Sequence, residues 1–221
     1  MHFPWIGITF FTVSTIICSW LKRKHQKLQR KIQNCEPFPQ DNERPSTGYY
    51  WVSGPLQCEK PFLYHCAILH YQIYAKHNFN CTKRFYDSPI QYALNLNING
   101  ANIDELKSLI PLELEQEFFS IDPDLNNSTV NTFTNDTDTF TYSHQWYGAR
   151  MNQIYTVIGK WDYLQNRFVY SNNINIVSTH TVKQIIENLE LWIHIIMFVH
   201  KVSYIFSAVF GALELFGYYY E

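Results

Sequence analysis

Uncharged, mostly apolar residues fill positions 3–21, and a strongly basic run follows at once over positions 22–31. Nineteen helical residues rise about 28 Å, which is close to the ~30 Å hydrocarbon core of a bilayer. Trp5 and Trp20 stand near the two ends of this run, where indole rings favour the membrane interface. A cleavable signal peptide is the alternative, but its charges precede the apolar core. The pattern therefore predicts a retained transmembrane helix over residues 1–21.

A second mostly apolar stretch covers residues 181–221 and predicts an amphipathic helix that leads into a second transmembrane helix. We expect residues 181–200 to approach the membrane and residues 202–219 to span it. One face of this stretch carries small and polar residues at helical spacing, which are His200, Ser203, Ser207, Gly211 and Glu214. Small residues let another helix approach closely, and a carboxylate in hydrocarbon needs protein or water beside it. The stripe is therefore predicted to be a helix-packing interface with other protein.

Between the two apolar ends, the pattern changes to short alternating segments that are typical of β-strands. Residues 22–48 hold the basic run and three prolines, and they predict a juxtamembrane segment and linker. The predicted elements after this linker are strands over residues 67–74, 91–98, 154–159 and 167–171, a turn at Asn99-Gly100, a helix or extended edge over residues 103–114, and a polar loop over residues 120–143. We therefore expect residues 49–180 to form one β-rich domain, and the fold class to be a membrane-anchored α+β protein.

The formal net charge of −2 hides a strong asymmetry along the chain. Six of the 17 Lys and Arg residues lie in the basic run, which leaves 11 basic against 19 acidic residues elsewhere. This balance argues against nucleic-acid binding, because phosphate contacts need a basic face on the folded part. The basic residues predicted to meet lipid headgroups are Lys22, Arg23, Lys24, Lys27, Arg30 and Lys31. A solvated juxtamembrane helix is the alternative interpretation of the same run.

Residue types that carry chemistry occur without the spacing that catalysis or metal binding requires. Cys66 with His70, and His77 with Cys81, are each four residues apart, but they fall in predicted strand and loop with no CxxC or HExxH motif beside them. The five cysteines are an odd number without close pairs, so no disulfide framework is indicated. We therefore predict no catalytic, metal-binding or cofactor-binding residue, and a protein that is not an enzyme.

The order of these elements resembles the GIDE (or BAM, "beside a membrane") domain family. The resemblance covers residues 49–217, and the segments that carry it are Trp51-Val52-Ser53-Gly54, Cys66-Ala67-Ile68-Leu69-His70-Tyr71, residues 92–104, and Ile154-Tyr155-Thr156-Val157-Ile158-Gly159-Lys160 with Ile176-Val177-Ser178-Thr179. It implies a β-rich domain between two transmembrane helices, as in mitochondrial or plastid ubiquitin ligases. Those ligases carry a RING after the second span, whereas the printed sequence stops at Glu221. The resemblance therefore implies the fold and the membrane setting and not ligase activity.

These patterns predict a non-catalytic accessory or structural subunit of a multi-protein mitochondrial membrane complex, with the respiratory chain as its expected setting. A ligase-related regulator that recruits a RING or substrate in trans is the alternative, and a lipid- or scaffold-binding organiser is a third. The expected partners are other membrane subunits and lipids, without nucleic acid or a small-molecule substrate. We expect two spans in the inner rather than the outer membrane. The side that the domain faces stays open, because the basic run favours the matrix or cytosol whereas the resemblance implies the intermembrane space.

Overall fold

The computed structural model describes residues 4–39, 45–77, 82–120 and 140–219. It has an α+β fold whose described residues form two compact units. Met1–Glu36 and His180–Glu221 make up the first unit, which contains the two long helices. Pro37–Thr179 makes up the second unit, which contains the β-sheets. The two ends of the chain thus belong together, and the β-rich part lies between them in sequence.

The first helix, α1 (Pro4–Gln33), runs without interruption from the apolar stretch through the basic run. Its first residue is the proline that is tolerated in a first helical turn. It ends where Asn34 donates its backbone N–H to the Arg30 carbonyl oxygen at 3.1 Å, three residues before Pro37. Residues 22–33 of the predicted juxtamembrane segment and linker are therefore helical. A two-residue strand, β1 (Glu36–Pro37), follows the helix.

The last helix, α2 (Val182–Tyr219), is also continuous. Thr181 and Gln184 form a capping box at its start, because the Thr181 hydroxyl accepts the Gln184 backbone N–H at 3.3 Å and the Gln184 side-chain oxygen accepts the Thr181 backbone N–H at 2.9 Å. The predicted boundary between an approaching helix and a spanning helix near Lys201 is not marked by any break. No proline occurs within α2, and its first glycine is Gly211, so nothing near Lys201 interrupts the backbone hydrogen bonds.

The first sheet of the β-rich unit is built around two long antiparallel strands. In addition to β1, its strands are β2 (Gly48–Gln57), β6 (Asn97–Ile98), β7 (Ala101–Asn102), β10 (Ile154–Asp162), β11 (Arg167–Val169) and β12 (Ile176–Ser178). Their order is β11-β10-β2-β6-β7, and β12 also pairs with β10. The register of the central pair sets Val157 of β10 opposite Val52 of β2.

The second sheet has the order β4-β3-β9-β8, with β5 paired to β3. Its strands are β3 (Cys66–His77), β4 (Thr82–Asp87), β5 (Gln91–Tyr92), β8 (Glu113–Ser120) and β9 (Phe140–Arg150). Two short 3-10 helices, Leu63–His65 and Asp104–Leu109, connect the strands. Strand β8 lies at one edge of this sheet and, in the described part of the chain, pairs only with β9.

The core of the β-rich unit follows from the alternation of apolar residues along the strands. In β2, Tyr50, Val52, Gly54 and Leu56 are buried while the residues that alternate with them are more accessible, as expected for a strand with one covered face. An aromatic cluster closes one part of this core, with the ring centroid of Trp161 4.7 Å from Phe38 and 5.4 Å from Phe168. The β-rich unit therefore has a hydrophobic core of its own.

The predicted strands agree with the structure in most places. The strands predicted over residues 67–74 and 154–159 are confirmed within β3 and β10, and the strand predicted at 167–171 is confirmed as far as Val169. The predicted turn at Asn99-Gly100 is confirmed, because both residues have positive φ (48° and 79°) between β6 and β7.

The single strand predicted over residues 91–98 is wrong. Two short strands, β5 and β6, stand at its ends, and Asn95 between them has a φ of 56°. The backbone N–H of Leu96 donates to the Asp104 carboxylate at 2.9 Å instead of entering a strand ladder. A left-handed asparagine with this side-chain contact bends the chain where the alternation pattern alone indicates an extended segment.

Two further predictions are tested only in part or contain both of their alternatives. For residues 103–114, which predicted a helix or an extended edge, both occur in turn: a 3-10 helix over Asp104–Leu109, and β8 from Glu113. Of the predicted polar loop at 120–143, positions 121–139 lie outside the described residues. Ser120 ends β8 and residues 140–143 begin β9, so both margins of that predicted loop are strands.

Candidate membrane-spanning helix pair

Helix α2 is long and apolar enough over Val182–Ala212 to cross a membrane, and only 11% of its apolar window is buried. Its exposed large apolar residues are Leu191, Trp192, Ile195, Phe198, Val199, Tyr204, Ile205, Phe206, Val209 and Phe210. The central helix of a water-soluble domain would bury such residues. The arrangement weakly favours a helix that meets lipid.

Among the described residues, α2 is the one helix that meets these criteria of length and composition, whereas two spans were expected. Helix α1 does not meet these criteria over its described side chains. Those at positions 4–8 and 10 of the predicted first span lie outside the description, and the basic run occupies much of the rest of α1. Val13, Ile16, Ile17 and Trp20 of α1 are nevertheless exposed apolar side chains. The first span stays a prediction.

The two helices pack side by side in opposite directions. The Gln29 side-chain amide donates to the Glu190 carboxylate at 2.8 Å, near the basic end of α1. Farther toward the N-terminus, the Thr15 hydroxyl lies 3.2 Å from Nε2 of His200. Residue numbers fall along α1 as they rise along α2, so the helices are antiparallel.

The contact faces of both helices repeat with alternating spacings of three and four residues. Among the buried or half-buried positions of α1, one such series is Phe11, Ser14, Cys18, Leu21, His25, Leu28 and Ile32, with Thr15 and Gln29 beside it. On α2 the corresponding series is Ile186, Leu189, Ile193, Ile196, His200, Ser203 and Ser207, and other half-buried residues flank it. This spacing averages 3.5 residues and is typical of helices that pack as a coiled coil. We call the two packed helices the antiparallel helix pair.

The predicted packing stripe on α2 lies partly within this contact. Ser203 is 7% exposed, and His200 approaches the ring of Phe11 (6.4 Å between ring centroids) in addition to Thr15. Ser207 is half-buried and its hydroxyl donates to the Ser203 carbonyl oxygen at 2.9 Å. A Cβ at Gly211 would meet no described atom within 4 Å, and the Glu214 side chain lies outside the description. At His200 the neighbour of the stripe is therefore α1 of the same chain.

The six predicted headgroup-binding residues are spread over three turns of α1. Arg23, Lys24, Lys27 and Arg30 are exposed, whereas Lys22 and Lys31 are half-buried. The Lys24 ammonium lies 5.2 Å from the ring centroid of Trp20, at the point where the apolar stretch gives way to the basic run. A cation beside an exposed indole is suited to the membrane–water interface. The structure does not gather the six cations into one pocket.

The outward face of α2 changes character at one point. Its exposed residues before Leu191 are all polar, namely Lys183, Gln184, Glu187, Asn188 and Glu190. From Leu191 onward most of them are large and apolar. Sequence reasoning placed the corresponding change near Lys201, ten residues later. The structure places this change from polar to apolar exposed residues earlier, because Leu191 and Trp192 are already exposed and face away from α1.

Cys66 and His70, two of the residues considered for a metal site, lie in different chemical environments. Cys66 is fully buried, and this burial, together with the nearby Glu115 carboxylate, raises its pKa to about 11, against the opposing effect of Arg150. Its thiol therefore stays protonated near neutral pH, unlike a metal-bound thiolate. Nε2 of His70 lies 2.5 Å from the Asp87 carboxylate, and the side chains of His77 and Cys81 are not described. No group of three potential metal ligands occurs among the described residues.

The antiparallel helix pair makes a direct cross-linking prediction. In a Cys18→Ser background, Thr15→Cys with His200→Cys is expected to form an intramolecular cross-link with a short bifunctional thiol reagent, because the two native side chains are in contact. The shift of the cross-linked monomer on a denaturing gel measures the result. The control pair Val13→Cys with Phe198→Cys uses two exposed positions and should stay unlinked. Equal linking of both pairs would contradict the antiparallel helix pair.

The sequence contains a signal for the helix pair, but that signal is recognised only when the spacings of apolar residues at the two ends of the chain are compared. The three-and-four spacing is visible in each helix, yet each alone fits a single amphipathic helix as well.

The resemblance to GIDE domains stays a prediction. In comparisons of this chain with protein-family models, curated proteins and solved structures, nothing matches.

Proposed function

We propose that this chain is a membrane-anchored, non-catalytic accessory subunit of a multi-protein complex. The observation that carries the proposal is the exposed apolar surface of α2, which continues on α1 through Ile16, Ile17 and Trp20. Such a surface is costly in water and favourable in a bilayer or against other membrane helices. The antiparallel helix pair would form the anchor, and the β-rich unit would be the part offered to partners.

Three features support the membrane setting in more detail. The sharp change at Leu191 from polar to apolar residues is suited to the boundary of a hydrocarbon layer. The basic residues of α1 would meet anionic headgroups, and Lys24 with Trp20 would lie at the interface. By the positive-inside rule, the basic run favours a β-rich unit on the matrix or cytosolic side. We further propose the mitochondrial inner membrane, in a respiratory complex, as the setting.

A fractionation experiment on the tagged, full-length chain tests this function. We expect the chain to be in the mitochondrial inner-membrane fraction, to resist extraction by alkaline carbonate, and to migrate in a large assembly on a native gel after mild detergent treatment. Mass spectrometry of that band would identify its companions. A chain that is extracted by carbonate, or that migrates as a detergent-solubilised monomer, would contradict the proposal. A position in a different membrane would contradict the mitochondrial part alone.

A further inference from the structure

The second sheet of the β-rich unit ends at β8, and the outer side of this strand has no backbone partner among the described residues. A β-bulge between Leu114 and Gln116 interrupts its pairing with β9, after which the register is regular to Ser120. This regular part covers about 17 Å at about 3.4 Å per residue. An edge of this length presents a row of backbone donors and acceptors that can pair with another strand.

One face of the sheet at this edge is aromatic. Phe118 lies opposite His144, and Gln116 opposite Trp146, so these four side chains share a face. Behind them the ring of Tyr71 stacks on Trp146 with 4.3 Å between centroids. Phe118 is the outermost aromatic residue of this group and is 46% exposed. Apolar side chains of an added strand would extend this aromatic face.

The opposite face carries a carboxylate at the same edge. The Glu117 carboxylate accepts hydrogen bonds from the Ser143 hydroxyl at 2.6 Å and from the Gln145 side-chain amide at 2.9 Å. These two hydrogen bonds lower the pKa of Glu117, so it is ionised at neutral pH. Glu113 is also exposed, but it stands before the β-bulge, and its position opposite Gly148 puts it on the face of Phe118. The Glu117 carboxylate favours a cationic neighbour on its own face.

The charge of the strand argues against pairing with a second copy of itself. Strand β8 contains three glutamates and no Lys or Arg. A second β8 would therefore bring no cation to Glu117. The β-rich unit is also acidic as a whole, with 14 acidic and nine basic residues over positions 37–179. Charge complementarity points to a different chain that is basic where it pairs.

We propose that β8 binds an extended segment of a partner protein that alternates apolar residues with Lys or Arg, and that this segment adds as a new edge strand. Its apolar side chains would lie beside Phe118 and its cations beside Glu117. Backbone hydrogen bonds supply affinity in such an interaction and the alternating side chains supply specificity. The proposal rests on the proposed function, since it names the kind of partner that an accessory subunit would hold.

A synthetic seven-residue peptide of alternating lysine and valine, with blocked ends and a fluorescent label, is the probe. The full-length chain is kept in an uncharged detergent so that the peptide has no anionic lipid to bind. We expect saturable binding by fluorescence anisotropy and slower hydrogen exchange of the backbone amides over residues 116–120. The same peptide methylated on alternate backbone nitrogens keeps its charge but loses its strand-forming donors, and it should not bind. Equal binding of both peptides would overturn the proposal.

Substitutions in β8 test separately how its two faces contribute to peptide binding. Phe118→Lys should abolish binding, because it removes the apolar contact at the aromatic face and because a lysine on an edge strand is a common means of preventing strand addition. Glu117→Gln should weaken binding about fivefold, as expected for the loss of one exposed ion pair. Leu164→Lys, at a position 89% exposed in the turn between β10 and β11, is the matched control and should bind normally. Unchanged binding by Phe118→Lys would overturn the proposal.

Three further outcomes are interpreted as follows. Those backbone amides of residues 116–120 that do not donate to β9 should exchange fast without peptide. Slow exchange of these amides would show that the edge is already occupied, either by this chain or by a second copy, and would overturn the proposal. If Phe118→Lys does not fold by circular dichroism, Gln116→Lys serves in its place. The companion proteins found by native electrophoresis test the proposed function separately. A chain without companions that still binds the peptide would contradict that function while supporting the binding edge.

Discussion

Replacing both Ile205 and Val209 by arginine is expected to prevent α2 from crossing the membrane. Both side chains are exposed on the apolar part of α2. An arginine at the centre of a transmembrane helix costs about 2.5–3.5 kcal/mol on insertion scales, so the pair costs about 5–7 kcal/mol. Such a cost exceeds the modest preference with which a single helix of mixed polarity inserts. The variant should therefore leave its C-terminus on the side where the β-rich unit lies.

Protease protection of two epitopes measures this result. One epitope follows Glu221, and the other is inserted after Leu164, in an exposed turn. In the native chain the two epitopes should lie on opposite sides of sealed membrane vesicles. In the variant they should lie on the same side, whether or not α1 still anchors the chain. A control with Gln184→Arg and Asn188→Arg adds the same charge at exposed polar positions of α2 and should behave as the native chain. Opposite sides in the Ile205→Arg/Val209→Arg variant would contradict a spanning α2.

Replacing Phe168 by alanine is expected to lower the free energy of unfolding of the β-rich unit by about 3–5 kcal/mol. The ring is fully buried and lies 5.8 Å from Phe38 and 5.4 Å from Trp161, between ring centroids. Removing it takes away buried apolar area and leaves a cavity that its rigid aromatic neighbours fill poorly. Since small domains are stable by only about 5–15 kcal/mol, the loss is a large part of the total.

Denaturant unfolding of the full-length chain in detergent, followed by tryptophan fluorescence, measures this loss. Tyr170→Ala is the matched control, because Tyr170 lies two residues farther along and is exposed. It should change the free energy of unfolding by less than about 0.5 kcal/mol. Equal effects of the two substitutions would show that the aromatic cluster of Phe38, Trp161 and Phe168 is not the core of this unit.

Local pattern was sufficient for some strands. Strand β10 was predicted from its run of apolar and β-branched residues, and it is covered on both faces. Strand β2 was not predicted from its pattern, because Tyr49, Tyr50, Trp51 and Val52 form a continuous apolar run that does not show the alternating burial of the strand. Of the short strands β6 and β7, only the Asn99-Gly100 turn between them was predicted. Two-residue strands carry too little pattern to be recognised alone.

Long-range pairing could not be read in the same way. The second sheet depends on β3 meeting β9, where Tyr71 stands opposite Trp146, and no residue near either strand in sequence specifies that contact. The same holds for the antiparallel helix pair. The stripe of His200 and Ser203 was predicted to meet another helix, but periodicity identifies which face is buried and not what covers it. An extended edge was one alternative for residues 103–114, where β8 begins, but the unpaired side of β8 could not be predicted because an edge is defined by strand order.

The antiparallel helix pair also has a consequence for biosynthesis. Gln29 and Glu190, which join the two helices, are separated by 161 residues, so α1 leaves the ribosome long before its partner is made. Contacts of such high sequence separation form late and slowly. Until α2 has been made, the face of α1 that packs on it has no partner helix, so the antiparallel helix pair can form only after the intervening domain has been synthesised.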